Sequence, residues 1–267
     1  MIRYPAVAGR FYPNSRVSLT KEIEKYVEKN AKRLDATGAL LPHAGYIYSG
    51  PVAGAVISRL KPRDSFVILG PNHTGQGKSC AIMTKGKWKT PLGDVEIDTS
   101  LAEKILENSS CLFEDHQAHT REHSIEVQLP FLQYFQPDVK IVPIAITEQD
   151  SRILKKTGLE IARAIIALKK NSIILASSDM THYEPQESAE KKDTQVINAV
   201  LQLDEDMLLK KVYTLGISMC GCAATVTMLA GCKKLGAKSG RLVKYQTSGE
   251  VNGDYQQVVG YAGIVIT

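Results

Sequence analysis

The sequence predicts an α/β fold: a single domain over residues 1–267, with a mostly parallel central sheet flanked by helices. Three observations predict it. Apolar runs of strand length recur and end in turn signals, as in Gly38 to Pro42, Ser65 to Gly70 and Ser172 to Ala176. Helix-length segments separate them, the spacing of parallel strands joined by crossover helices. Each run delivers a polar, titratable group just past its C-terminal end: His43, His73, and Asp179 with His182. Ligands of open α/β sheets bind at that edge.

Residues 1–17 read as irregular. Pro5 to Pro13 is nevertheless apolar and aromatic, suited to packing over the core or to walling a pocket with Phe11 or Tyr12. Ser18 is the predicted cap of a helix to about Leu34, with Leu19, Ile23, Val27 and Leu34 on one face. After the first strand and the His43 loop, Val52 to Leu60 reads as a small-residue helix with Pro51 in its first turn. Cys80 to Thr84 and Lys87 to Asp98 form an antiparallel excursion, with a hairpin at Thr90-Pro91-Leu92-Gly93-Asp94. Thr99 to Asn108 is helical, capped by Thr99 or Ser100. Residues 111–123 are polar and histidine-rich. Ser124 opens a helix to Phe135 that Pro130 kinks. Val139 to Ile146 is a strand, and Ser151 to Lys169 a helix. Two helices, 185–203 and 204–215, follow Asp179. Ala223 to Leu235 is a third, ending at Gly236, and Arg241 to Thr247 and Val258 to Ile266 close the chain as strands.

With 43% hydrophobic residues the chain has ample material for a full core. Its net charge of +5 comes from lysines and acids mixed along the helices, without the basic clusters of a nucleic-acid surface. Met1 to Pro13 lacks the apolar run of a signal peptide, and no apolar stretch approaches the ~20 residues of a membrane span. The five cysteines are odd in number and show no disulfide framework. A reduced, cytoplasmic setting is expected.

The chemistry-bearing groups centre on six histidines, at 43, 73, 116, 119, 123 and 182. Glycine or proline lies within two residues of His43 and His73 and frees the backbone to present them. His43, His73 and His182 are expected to meet in one site around a metal. A histidine pair needs a third ligand, for which Asp179 and Cys220 are both candidates. Cys220 sits beside Gly221 at a helix start, where the dipole favours a thiolate. Two histidines and one anionic ligand suit non-haem iron, and a thiolate lets copper and zinc compete. His123 and Glu126 are expected to face the same pocket.

His119-Thr120-Arg121-Glu122-His123 matches the H-x-x-E-H pattern of inverted zinc peptidases, with Glu122 as base if the segment is helical. Ser177-Ser178-Asp179 with His182 lacks the glycine-flanked nucleophile elbow of a hydrolase. No P-loop or G-x-G-x-x-G is present, which argues against nucleotide binding.

Taken together these segments resemble the Memo family. The resemblance rests on Pro5 to Pro13, Pro42 to Gly50, Gly70-Pro71-Asn72-His73, Glu122 to Phe131, Ser177-Ser178-Asp179 with His182-Tyr183, and Cys220-Gly221. It implies a prokaryotic, archaeal type of member, with AMMECR-type and radical-SAM proteins as functional partners. It also implies a fold like that of class III extradiol dioxygenases, which hold Fe(II) with two histidines and a glutamate. The matching positions are His43, His73 and, in place of the glutamate, Cys220. His182 matches the acid/base histidine. The family is described as binding iron or copper through the two histidines and the cysteine.

The expected function is therefore a metal-binding protein and non-haem redox enzyme. His43, His73 and Cys220 bind Fe(II) or copper, with zinc as a competitor. His182 moves a proton, Asp179 fixes its tautomer, and His123 contacts a small-molecule or peptide ligand in the cleft. The alternatives are a non-catalytic peptide- or protein-binding module on the same fold, and a zinc peptidase using His119, Glu122 and His123.

Overall fold

The computed structural model describes residues 1–267. Its strands are β1 (Ile2–Arg3), β2 (Gly38–Leu41), β3 (Ser65–Pro71), β4 (Cys80–Ile82), β5 (Lys87–Thr90), β6 (Gly93–Ile97), β7 (Phe113–Glu114), β8 (Lys140–Ile146), β9 (Ser172–Ser177), β10 (His182–Glu184), β11 (Gly240–Thr247) and β12 (Val258–Ile266). Its helices are α1 (Arg16–Tyr26), α2 (Tyr46–Ile57), α3 (Thr99–Asn108), α4 (Gln117–Thr120), α5 (Leu129–Phe135), α6 (Ser151–Ala167), α7 (Gln186–Leu201), α8 (Glu205–Thr214), α9 (Cys222–Lys234) and α10 (Gly249–Asn252).

The central sheet runs β1-β5-β6-β8-β3-β9-β2-β12-β10. Its middle, from β6 through β8, β3 and β9 to β2, is parallel. Strands β2, β3 and β9 are buried on both faces, which is why they read as unbroken apolar runs. β4 and the β5–β6 hairpin form the expected antiparallel excursion, and β11 and β12 close the other side. Helices α1, α2 and α5 pack together, and α3, α6, α8 and α9 form a second group. The fold is thus α/β with a mostly parallel sheet, as expected from the sequence. No helix is long and apolar enough to cross a membrane.

Several element boundaries differ from the sequence reading. Ser15, not Ser18, caps α1, its side chain accepting from the Ser18 N–H. The helix stops at Tyr26 because the next turn is captured elsewhere: Glu28 N–H donates to Ser58 Oγ, and Leu34 bridges to Leu60. α2 begins at Tyr46, so Pro51 lies inside it rather than in its first turn. The carbonyl left without an i+4 donor belongs to Ile47, an exposed residue of the first turn. Asp98 caps α3 through the Leu101 N–H, displacing Thr99 and Ser100. No single helix spans Ser124 to Phe135. A 3₁₀ turn at Glu126–Gln128 leads into α5, where Pro130 starts the helix instead of kinking it.

Candidate metal centre

Register brings the site together. β9 lies between β2 and β3, with Leu41 opposite Ser177 and Leu69 opposite Ala176. All three chains leave the sheet at the same edge. His43 follows β2, His73 follows β3, and Ser177 to Asp179 end β9. The His43 N–H donates to Asp179 Oδ1 at 2.7 Å, pinning two of the loops to each other.

The imidazoles of His43, His73 and His123 converge there, with one ring nitrogen of each within 4.8 Å of the others. His73 and His123 stack at 4.8 Å, and His43 meets both edge-on at 5.1 and 5.5 Å. Burial runs from His43, fully inside, to His73, which is exposed. The cluster is therefore anchored in the core and open on one side.

The hydrogen bonds decide which nitrogens are free. Ser177 Oγ has one proton, which goes to the Ser124 carbonyl at 2.7 Å. It then accepts from Gln128 Nε2 at 2.9 Å and from His43 Nδ1 at 2.9 Å. His43 is thus the Nδ1–H tautomer, and its Nε2 lone pair faces the Cys220 sulfur alone. His73 follows the same logic. Its Nδ1 lies 2.9 Å from Glu122 Oε1, and a carboxylate oxygen only accepts. Metal-bound histidines characteristically have the distal nitrogen held in this way.

Cys220 lies beside His43, with Sγ 3.1 Å from Nε2. Ligands bonded at ~2.1 Å (N) and ~2.3 Å (S) to one ion stand about 3 to 3.6 Å apart, so the His43–Cys220 pair has metal-ligand spacing, whereas the group of three within mutual reach is His43, His73 and His123. The Asp179 N–H points at the sulfur from 3.2 Å. Gly221 makes the approach possible: a Cβ there would fall 2.2 Å from the Ser177 carbonyl oxygen and 2.5 Å from Ser178 Cβ. Only glycine lets the start of α9 press so closely on the end of β9.

Electrostatics favour neutral imidazoles at His43 and His123 and a protonated Cys220 thiol until a cation arrives, while His73 is biased toward its charged form. Burial drives His43 well below its ordinary pKa, and the neighbouring His73 and His123 add to this. Burial lowers His123 as well. Burial would lower His73 too, but the Glu122 carboxylate reverses the direction and raises it. Glu122 sits at about 2: burial opposes its charge, while His73 and the Ser124 N–H overcome that. Burial and the Asp179 charge push the Cys220 thiol up, and burial lifts Asp179 to about 6. Metal binding would replace the thiol proton.

His182 lies outside the group of three histidines and makes no side-chain hydrogen bond to His43 or Asp179; its backbone N–H donates to Ser218 Oγ. Its Nδ1 is buried without a partner. The next residue, Tyr183, is held at φ +59° where β10 bulges against β12, with His182 itself paired to Val259. Asp179 therefore orients the His43 loop; it does not fix the His182 tautomer as expected.

The zinc-peptidase arrangement does not form. α4 ends at Thr120, so His119 and His123 share no helical face. His119 is fully buried, Nε2 toward the Ala81 carbonyl and ring edge on Trp88. Glu122 serves His73 instead of acting as a free base. Glu126 also departs from expectation. It is buried in a salt bridge with Arg3 and accepts from Tyr12 Oη and the Ala6 and Val7 N–H groups. It straps the N-terminal segment across the site, and Phe11 of that segment meets the His123 ring edge-on at 4.8 Å. Two clefts reach the cluster. One of about 650 Å³ opens beside His123, and one of about 560 Å³ beside His73 and Cys220.

Sequence reasoning missed the parts played by Ser177, Gln128 and Glu122. All three are buried polar residues. A buried Gln or Glu with no obvious partner in its own segment is the available signal.

Comparison with known proteins agrees with this architecture. A family model described as "Memo-like protein" matches residues 3–265. A MEMO1 family protein of Methanococcoides burtonii is 46% identical over 267 residues, covering 99% of this chain and 100% of that one. One from Methanopyrus kandleri is 43% identical over 279 residues, covering 99% of each. Among solved structures, an uncharacterized protein from Escherichia coli K12 superposes with a TM-score of 0.57 at 13% identity. That match covers 84% of this chain and 98% of that one, a likeness of fold alone. The match at full length takes in each segment that supplies the histidine cluster and Cys220, and the chain belongs to the Memo family.

Proposed function

We propose that this chain is a metal-dependent redox protein in which His43, His73 and Cys220 hold one iron or copper ion. The observation that carries this is the arrangement at His43: Nδ1 is committed to Ser177 while the Nε2 lone pair stands 3.1 Å from the Cys220 sulfur. Two neutral imidazoles and a thiolate suit Fe(II) and copper and admit zinc as a competitor. When bound, such an ion supplies Lewis acidity and one-electron chemistry. Glu122 and Ser177 keep the two imidazoles in the ligating tautomer. Asp179 holds the His43 loop and supports the Cys220 sulfur through its N–H. His123, on the wall of the larger cleft, contacts the substrate. His182, whose Nδ1 is not engaged by the protein, moves the proton.

Anaerobic loading with Fe(II) and with Cu(I), followed by elemental analysis, tests the reading. One ion per wild-type chain, with loss in His43→Ala and Cys220→Ser, is expected. Equal and negligible metal in all three would overturn it.

A further inference from the structure

The cleft beside His123 has an unusual wall. Three arginines line it and no carboxylate does. Arg3 is spent: its guanidinium pairs with Glu126, donates to the His119 and Glu122 carbonyls, and lies 4.4 Å over the Trp88 ring. Arg10 and Arg121 are different. Both are exposed, and neither makes a salt bridge or a side-chain hydrogen bond. His116 joins them on the wall, with Nε2 buried and unpartnered. Apart from Thr120 and His123, the rest of the lining is apolar or aromatic, led by Tyr4, Pro5 and Phe11. The other cleft is of opposite character: it carries Glu148 among leucines and valine and has no lysine or arginine.

We propose that the cleft beside His123 binds an organic anion with an apolar body. Its carboxylate or phosphoryl oxygens lie on the Arg10 and Arg121 guanidiniums, whose planar forks match either group. The body rests against Tyr4, Pro5 and Phe11, which directs the far end toward His123 and the metal centre. Glu148 keeps the same anion out of the second cleft. The assignment names the substrate class of the proposed redox site and rests on that reading for its catalytic meaning. The anion site itself needs no metal.

Calorimetric titration of metal-loaded and metal-free protein with benzoate and, separately, inorganic phosphate tests it. Four proteins are compared: wild type, Arg10→Ala/Arg121→Ala, Arg10→Lys/Arg121→Lys, and Arg241→Ala as an exposed control on β11. Benzoate is expected to saturate wild type and the control alike and to bind the double alanine variant at least about tenfold more weakly, the loss of charge-assisted hydrogen bonds. The double lysine variant should fall between, since charge is kept and the fork is lost. Benzoate binding tighter than phosphate supports the apolar half of the site; phosphate binding as tightly overturns it. No saturable binding of either probe by wild type, or equal affinity in the double alanine variant, overturns the anion site. Metal content measured on the same samples reports on the metal centre separately, so the two failures are distinguishable.

Discussion

Nδ1 of His73 lies 2.9 Å from Oε1 of Glu122, and the same oxygen accepts the N–H of His123 at 2.8 Å. One buried carboxylate thus sets the tautomer of one cluster histidine and the backbone of another. Replacing Glu122 with Gln keeps the size but offers an amide where a charge was. Metal affinity is expected to fall about 10- to 100-fold, the usual cost of losing an outer partner of a ligating histidine. Competition titration against a chelator of known affinity reads this directly.

The close approach at Gly221 makes a separate prediction. Gly221→Ala puts a methyl group 2.2 Å from the Ser177 carbonyl oxygen, so the start of α9 must shift away from β9. A loss of about 1–3 kcal/mol in stability is expected, the usual range for overpacking. Cys220 moves with the helix, so metal stoichiometry should fall even in the fraction that folds. Denaturant unfolding and elemental analysis on one preparation check both.

Much of this site is visible in the sequence because its geometry comes from strands. An apolar run followed at once by a histidine marks a sheet edge, and β2 and β3 place His43 and His73 there. What cannot be read locally is register. The pairing of Leu41 with Ser177 makes Ser177 the partner of His43, although 134 positions separate them. The H-x-x-E-H reading fails for the same reason. His119 belongs to the core around Trp88, and Glu122 is claimed by a histidine 49 residues earlier. Helix ends lie away from their sequence signals where a tertiary partner takes the backbone, as Ser58 does at Glu28.

Asp98 gives a pH-dependent test remote from the metal centre. Burial would raise its pKa, but Lys170, Ser100 and the Leu101 N–H together hold it below the ordinary range. A depressed folded value means that its contribution is complete above the unfolded aspartate value of about 3.9 and is lost as pH falls through the folded one. Asp98→Asn retains a capping side chain and removes the charge. At neutral pH the variant should be less stable by about 1 kcal/mol. The gap should close as pH drops below about 4. Urea unfolding of both proteins across that range checks the sign, and a gap that widens on acidification would contradict it.

The account as a whole turns on whether sulfur and imidazole share one ion. X-ray absorption at the metal edge of anaerobically loaded protein measures this most directly. The expected spectrum holds one sulfur at about 2.3 Å and nitrogen ligands at about 2.0–2.1 Å, and Cys220→Ser removes the sulfur shell. A shell of nitrogen and oxygen alone, unchanged by Cys220→Ser, would contradict it.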